Sequence, residues 1–409
     1  MIFRRSRTVS LINGRVPTAT GTASSIRFGD RIMALDEQPH PDDAVVDLEG
    51  AFVLPGLINA HDHLELNHFG RLKCRDRYAN ATAWIDDLTP ALQSDPHIRK
   101  NSGYPLRDRL FIGGLKNVLA GVTTVAHHNP LYRDLRREFP VRVVRKFGWA
   151  HSFALEGRPV GANGERGGKV SEEHQATPSG IPFIVHAAEG VDEPAADEIT
   201  RLETLGCLRP GTVLVHGVAL TEDSWVQLLK RDVSLVWCPA SNAFLFGQTI
   251  PARAFLDASA DASLHLCLGS DSRVTGSRDL LDEMRAALAA DPVTPPEVLQ
   301  MVTAAAARVL KLPEAGEIAV GQPADLLVVP GEHPTAAESL VQTRRADVSL
   351  VTIGGRPMVA GHRFGAVFRA RGVETQPIRV DGTDHVAAAS LARDIARCPI
   401  QEPGVSSCS

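Results

Sequence analysis

The chain has 409 residues, of which 44% are hydrophobic and 22% charged, with a formal net charge of -5. That composition can bury a sizeable core, which excludes a disordered chain, and it gives no global reason to expect nucleic acid or an anionic membrane surface as partner, so a small molecule is expected. Six cysteines, Cys74, Cys207, Cys238, Cys267, Cys398 and Cys408, show no CxxC spacing, which excludes a zinc ribbon or redox pair and fits reduced thiols in the cytoplasm.

Arg4, Arg5 and Arg7 open the chain, but Asn13, Gly14, Arg15 and Pro17 interrupt the apolar run that a signal peptide needs. No stretch approaches the roughly 18–20 apolar residues that cross a bilayer, so no membrane span is expected. Residues 1–49 alternate short β-like runs with turn residues, as in TVSLINGR, SSIRFGDRIMAL and AVVDLEG, and predict a small sheet. A different regime begins at AFVLPGLINAHDHLELN. Seven apolar runs follow, namely GLINAHDH, GVTTVAHH, VRVVRKFGWAHSF, IPFIVHAAE, GTVLVHGVAL, VSLVWCPAS and SLHLCLGSDS, and continuously apolar strands suit a parallel sheet buried on both faces. Between them LRDRLFIGGLKNVLA, PAADEITRLETLG, TEDSWVQLLKRD, GSRDLLDEMRAALAA and PPEVLQMVTAAAARVLK predict helices. This alternation over about 250 residues predicts a (β/α)8 barrel, which builds its active site at the C-terminal ends of its strands. GEIAVGQPADLLVVP and DVSLVTIGGRPMVAG then return to β patterning that could complete the N-terminal sheet, and a helix near residues 385–397 precedes a polar tail.

The chemistry-bearing residues fall at predicted strand ends. His61 and His63 lie two apart, so on a strand both imidazoles face one side and can share a cation. His186 ends IPFIVH, His216 ends TVLVH and Asp271 follows LHLCLGS. Each residue alone reads as an ordinary strand end; together they offer imidazole and carboxylate ligands that suit one divalent cation, Zn²⁺ first, with Fe²⁺ or Mn²⁺ as alternatives. Such a cation lowers the pKa of bound water toward neutrality. Glu189, three residues after His186, can reach that water or a substrate nitrogen as a general acid or base; the bland alternative is a surface glutamate capping the next helix.

The stretches LPGLINAHDH, GVTTV, IVHAAEG, LVHGVALTE, WCPASN, LGSDS and GEIAVGQPADLLVV, spread over about residues 50–330, resemble the amidohydrolase superfamily. They are most similar to the branch of S-adenosylhomocysteine deaminases, guanine deaminases and triazine chlorohydrolases. The resemblance implies that His61, His63, His186 and Asp271 bind the metal, that Glu189 shuttles protons, that His216 contacts the substrate or the attacking water, and that Asp271 also accepts the water's proton. It further implies a β-sandwich flanking the barrel, built from both chain ends. The expected division is residues 1–54 for the N-terminal part of that sandwich, 55–315 for the metal-dependent barrel, 316–370 for the C-terminal part and 371–409 for a helix and polar tail.

Two departures limit the transfer. The segment between His128 and His186 is short, so one β/α unit is abbreviated or hidden within VRVVRKFGWAHSFALEG. Lys146 and Lys169 are the nearby candidates for the carbamylated lysine of binuclear relatives, whereas HAAEG points to a single metal. Further candidates for substrate contact are Arg75, in a basic loop with Arg71, Lys73 and Arg77 that could hold an anionic group or simply be solvated; Trp84, against a ring or in the core; and Asn242, beside Ser241 after WCP. Of His127 and His128, one faces the pocket and the other points away. The expected activity is hydrolysis of a carbon–nitrogen bond, deaminating a cyclic amidine or heterocyclic aromatic amine. The alternatives are another leaving group on the same site (halide, alkylamine or cyclic amide) and an inactive metal-binding scaffold; a homo-oligomer is left open.

Overall fold

The computed structural model describes residues 8–136, 138–160 and 165–407; Arg4, Arg5, Arg7 and Cys408 lie outside them. Strands β1 (Val9–Ile12), β2 (Ile26–Phe28), β3 (Ile32–Leu35) and β4 (Ala44–Asp47) form one sheet in the order β3-β2-β1-β4. In β3, Ile32 and Ala34 are buried while Met33 is exposed, the alternation of a sheet covered on one face. Strand β5 (Phe52–Pro55) leaves this group.

The next strands are buried at every position in β6 (Leu57–Asp62) and β7 (Val122–His127), and again in β10 (Phe183–Ala187), β11 (Thr212–His216), β12 (Ser234–Trp237) and β13 (Leu266–Leu268). Two strands of two residues, β8 (Arg142–Val143) and β9 (Gly148–Trp149), lie between these groups. All pair in parallel, in the runs β8-β7-β6 and β9-β10-β11-β12-β13. This is the strand order of a TIM-type fold. The stretch VRVVRKFGWAHSF, expected as one strand, thus contains two, and the abbreviated unit is found there. Two residues carry too little periodicity to be read as a strand.

Helices α1 (Ala81–Ser94), α2 (Leu106–Leu119), α3 (Glu193–Thr204), α4 (Glu222–Lys230), α5 (Pro239–Phe246) and α6 (Leu280–Ala290) connect these strands. Side chains of Asp192, Thr221 and Asp279 cap α3, α4 and α6 by accepting from backbone N–H groups of the first turn. PPEVLQMVTAAAARVLK, expected as one helix, breaks into α7 (Pro295–Met301) and α8 (Ala304–Val309). The Ile58 amide of β6 donates to the Val302 carbonyl at 2.8 Å, diverting it from the helical ladder.

At the C-terminal side, β14 (Leu326–Val329), β15 (Leu350–Ile353), β16 (Arg356–Ala360), β17 (Thr375–Val380), β18 (Thr383–Ala388) and β19 (Val405–Ser407) join a seven-stranded sheet in the order β19-β17-β18-β16-β15-β14-β5. The C-terminal strands therefore pair with β5 and not with the four-stranded N-terminal sheet. The segment after residue 371, expected to hold a helix and a polar tail, contributes three strands around α9 (Ala389–Arg397). An Asp381–Gly382 turn with φ of 48° and 88° closes the β17–β18 hairpin. The tail also sends Glu402 inward, where it pairs with Arg273 at 2.6 and 2.8 Å and with Arg345 at 2.6 Å, all three side chains being buried. No helix among the described residues is long and apolar enough to cross a membrane.

Candidate active site

Alternation along β6 sends His61 and His63 to one side of the strand and Asp62 to the other. Strand β10 brings His186 alongside, and Asp271 follows β13, its amide donating to the His61 carbonyl at 3.1 Å. Donor atoms meet in two sets that share His61, one with His63 and Asp271 and one with His128 and His186. Nε2 of His61 lies 3.2 Å from Nε2 of His186 and 3.9 Å from Oδ1 of Asp271, and Nε2 of His63 lies 3.7 Å from that same oxygen. Bonds of about 2.0–2.2 Å place tetrahedral ligands roughly 3.3–3.6 Å apart. The separations from Asp271, 3.7 and 3.9 Å, come close to that spacing, so His61, His63 and Asp271 fit one divalent cation, with His186 beside His61.

Hydrogen bonding agrees with that fit. His186 Nδ1 lies 2.7 Å from the His151 carbonyl, which can only accept, so the lone pair of a neutral His186 sits on Nε2. Burial, reinforced by the surrounding imidazoles, holds His61 and His186 well below the ordinary imidazole range, which is the neutral, ligating form. Burial pushes the Asp271 carboxyl up, but His63, His216 and the hydroxyls of Thr275 and Ser241 outweigh it and keep the group below its ordinary value. Both hydroxyls donate to Oδ2 at 2.8 Å, and the Ser272 amide donates to Oδ1 at 2.7 Å.

Glu189 is placed by the turn HAAEG. Ala188 adopts a left-handed φ of 53°, a conformation that costs a residue with a Cβ about 1 kcal/mol or more. The turn is held from several sides. Glu198 of α3 accepts from the Ala188 amide at 2.8 Å, the Ala219 amide donates to the Ala188 carbonyl at 3.0 Å, and the Ala81 amide donates to the Glu189 carbonyl at 2.9 Å. A Cβ on Gly190 would stand 2.6 Å from the Ala79 carbonyl oxygen, so the next residue must be glycine. His216 and Asp271 are also left-handed, at 74° and 49°. Backbone strain of this kind collects at functional sites.

Glu189 Oε1 stands 3.5 Å from Nε2 of His216. The opposite ring nitrogen of His216, Nδ1, donates to Asn242 Oδ1 at 2.8 Å. Burial raises the Glu189 carboxyl to about 7, so it carries a proton through the lower part of the neutral range. A cavity of about 370 Å³ opens beside this pair, lined among others by Asn80, Thr82, Ser152, Glu198 and Arg201. Such polar walls can bind a polar small molecule.

The structure therefore brings together His61, His63, His186, Asp271, Glu189 and His216. The other expected substrate contacts lie elsewhere. Arg75 is more than half exposed and paired with Asp87, with its guanidinium over Tyr78. Trp84 donates its indole N–H to the Leu72 carbonyl at 3.1 Å and packs with Phe69 and Leu88, so it anchors α1. Asn242 is fully buried and acts on His216 instead of facing the cavity. Lys146 and Lys169 are exposed, Lys169 with Glu172, so neither offers a bridging group. His128 turns toward the ligands and His127 away, toward Glu65.

Two features carried no readable sequence signal. His151 stacks on His186 with ring centroids 4.6 Å apart, yet it lies in the stretch whose strands were unresolved. Lys116, fully buried on α2, lies 3.1 Å from Asp62 and bonds Asn67 and Ser270 at 2.7 and 3.0 Å. Mid-helix, it reads as a surface lysine.

Residues 168–358 match the family model described as amidohydrolase family. A 5-methylthioadenosine/S-adenosylhomocysteine deaminase of Natronomonas pharaonis is 28% identical over 78% of this chain and 83% of its own. Among solved structures, an atrazine chlorohydrolase of Arthrobacter aurescens complexed with zinc superposes with a TM-score of 0.66 at 18% identity, covering 89% of this chain and 99% of its own. An adenosine deaminase of Xanthomonas campestris with bound zinc gives 0.61 at 19% identity, over 89% and 97%. Over residues 168–358 and in its related sequences the chain is similar to amidohydrolases, and it shares the fold of these solved structures.

Proposed function

We propose that this protein is a metal-dependent hydrolase of carbon–nitrogen bonds that deaminates a heterocyclic aromatic amine or cyclic amidine. The observation that carries the proposal is the Glu189–His216 pair, 3.5 Å apart, beside the cluster of His61, His63, His186 and Asp271. A single divalent cation held by His61, His63, His186 and Asp271, zinc before iron(II) or manganese(II), supplies Lewis acidity that brings the pKa of water toward neutrality. Asp271, beside that cation, would be the proton acceptor for the attacking water. Glu189, whose carboxyl burial raises to about 7, delivers a proton from Oε1 to the departing nitrogen. His216, its Nδ1–H bonded to Asn242, presents Nε2 as an acceptor to the substrate or the attacking water.

The same reading takes the eight parallel strands as one closed barrel spanning residues 55–315. Segments 1–54 and 316–370 form a flanking sandwich, to which the strands after residue 371 add. It places the protein in the cytoplasm, in keeping with five free cysteines among the described residues, with a small-molecule substrate and neither nucleic acid nor membrane as partner. The relatives named as nucleoside deaminases make purine-like amines the first substrates to try.

The test is metal analysis followed by a panel of amino- and chloro-substituted heterocycles, with ammonia and chloride release both recorded. Stoichiometric metal and ammonia release are expected. Chloride without ammonia would replace the leaving group, and a protein that takes up no Zn²⁺, Fe²⁺ or Mn²⁺ would end the proposal.

A further inference from the structure

His128 follows β7 and lies flat against His186, with ring centroids 4.5 Å apart and planes 2° from parallel. Only 1% of the residue is exposed. Its two nitrogens have different neighbours. Nε2 is 3.0 Å from the carbonyl oxygen of Ala150, and Nδ1 is 3.3 Å from Nδ1 of His61. A carbonyl oxygen accepts and never donates, so Nε2 of His128 carries the hydrogen. In the neutral ring Nδ1 is then an acceptor, and the hydrogen in the contact between the two histidines belongs to Nδ1 of His61. That leaves the His61 lone pair on Nε2, the atom that stands 3.2 Å from Nε2 of His186.

The two carbonyls that direct this chemistry are consecutive. His151 fixes His186 directly at 2.7 Å, and Ala150 fixes His61 at one remove, through His128. Both follow β9, the two-residue strand. His61, His128 and His186 are close enough to be a ligand group in their own right, but both nitrogens of His128 are committed, one as donor and one as acceptor, which leaves none for a cation.

We propose that His128 is a positioning residue of the metal centre: it holds His61 in the tautomer that presents Nε2 to the cation, so the backbone after β9 governs metal affinity through two ligands at once. The proposal rests on the reading of His61 as a ligand. Partners of this kind orient the imidazole, and their loss weakens metal binding by roughly 10–100-fold.

Zinc affinity, measured by competition with a chromogenic chelator, separates the alternatives. In His128→Phe, which keeps a ring to stack but offers no acceptor, affinity is expected to fall about 10–100-fold, and the visible bands of the cobalt-loaded protein should shift. In His128→Asn, whose side-chain oxygen can stand near the position of Nδ1, affinity should stay within about threefold of wild type. Equal affinity of His128→Phe and wild type overturns the proposal, as does equal loss in both variants, which would point to packing alone. Should a variant fail to fold, two-bond nitrogen–proton spectra of ¹⁵N-histidine-labelled, zinc-loaded wild type decide the matter. Protonated Nδ1 on His61 and Nε2 on His128 are expected; a proton on Nδ1 of His128 overturns the assignment. A wild-type protein that takes up no zinc refutes the functional reading instead, so the two failures are distinguishable.

Discussion

His61, Asp62 and His63 are consecutive, polar and buried, yet they belong to two regions of opposite character. On one side of β6, imidazole nitrogens face each other at 3.2 Å, a carboxyl is raised to about 7 and three residues sit in left-handed backbone. On the other side, Asp62 accepts from Asn117 at 2.9 Å, Asn67 at 2.7 Å and Asn59 at 3.1 Å, with Lys116 at 3.1 Å. There the charges and hydrogen bonds cancel within the protein. Burial of charge by itself therefore does not mark a working site. What marks it is convergence of like groups left without mutual compensation, which only a bound cation or a reacting molecule can supply.

The contrast can be broken at either end. Asp271→Ala should do most: removal of the one carboxylate among the four ligands is expected to abolish stoichiometric metal and lower turnover by more than about 10³-fold, read by metal content and initial rates. Full metal content in this variant would remove Asp271 from the ligand set. Glu189→Gln should retain metal yet lose roughly 10²–10⁴ in turnover. The same residue predicts a pH limb. Acting as donor, Glu189 must be protonated, and its carboxyl is raised to about 7, so wild-type rates should fall as pH rises through that value and the limb should vanish in the variant.

On the compensated side the expected effect is on stability, not chemistry. Lys116→Met leaves Asp62 as a buried carboxylate without its cation, a change expected to cost about 3–5 kcal/mol in denaturant unfolding. A loss below roughly 1 kcal/mol would mean that the three amides suffice. Asn242→Ala tests the boundary between the regions with the smallest effect. It should leave metal binding unchanged, cost about 1–3 kcal/mol through the orphaned His216 N–H, and lower turnover about tenfold through a misaligned ring. Unchanged rates would make Asn242 purely structural.

The sequence reveals these regions unequally. The proposed ligating side announces itself because His61, His63, His186, His216 and Asp271 each close or follow an apolar run long enough to be read as a strand, with Glu189 three residues after His186. The compensated side is silent: Lys116, Asn117 and Asn67 come from different elements, and nothing along the chain says that they meet. The same limit explains β8 and β9, whose two residues each give no period, and with them His151 and the carbonyl of Ala150. For Arg75 and Trp84 the sequence left two readings open, and their partners, Asp87 and the Leu72 carbonyl, lie within the same loop-and-helix segment, so the solvated and the core reading hold. The Asp381–Gly382 hairpin, by contrast, carried a turn signal that was there to be read.

Glu402 has a consequence for the order in which the molecule is made. It clamps Arg273, two residues beyond Asp271, from a position roughly 130 residues later in the chain. At about 5–20 residues per second of synthesis, Asp271 leaves the ribosome on the order of ten seconds before the residue that clamps the loop behind it. That loop should therefore settle late, while Asp271 itself already has the hydroxyls of Ser241 and Thr275 and the Ser272 amide to hold it.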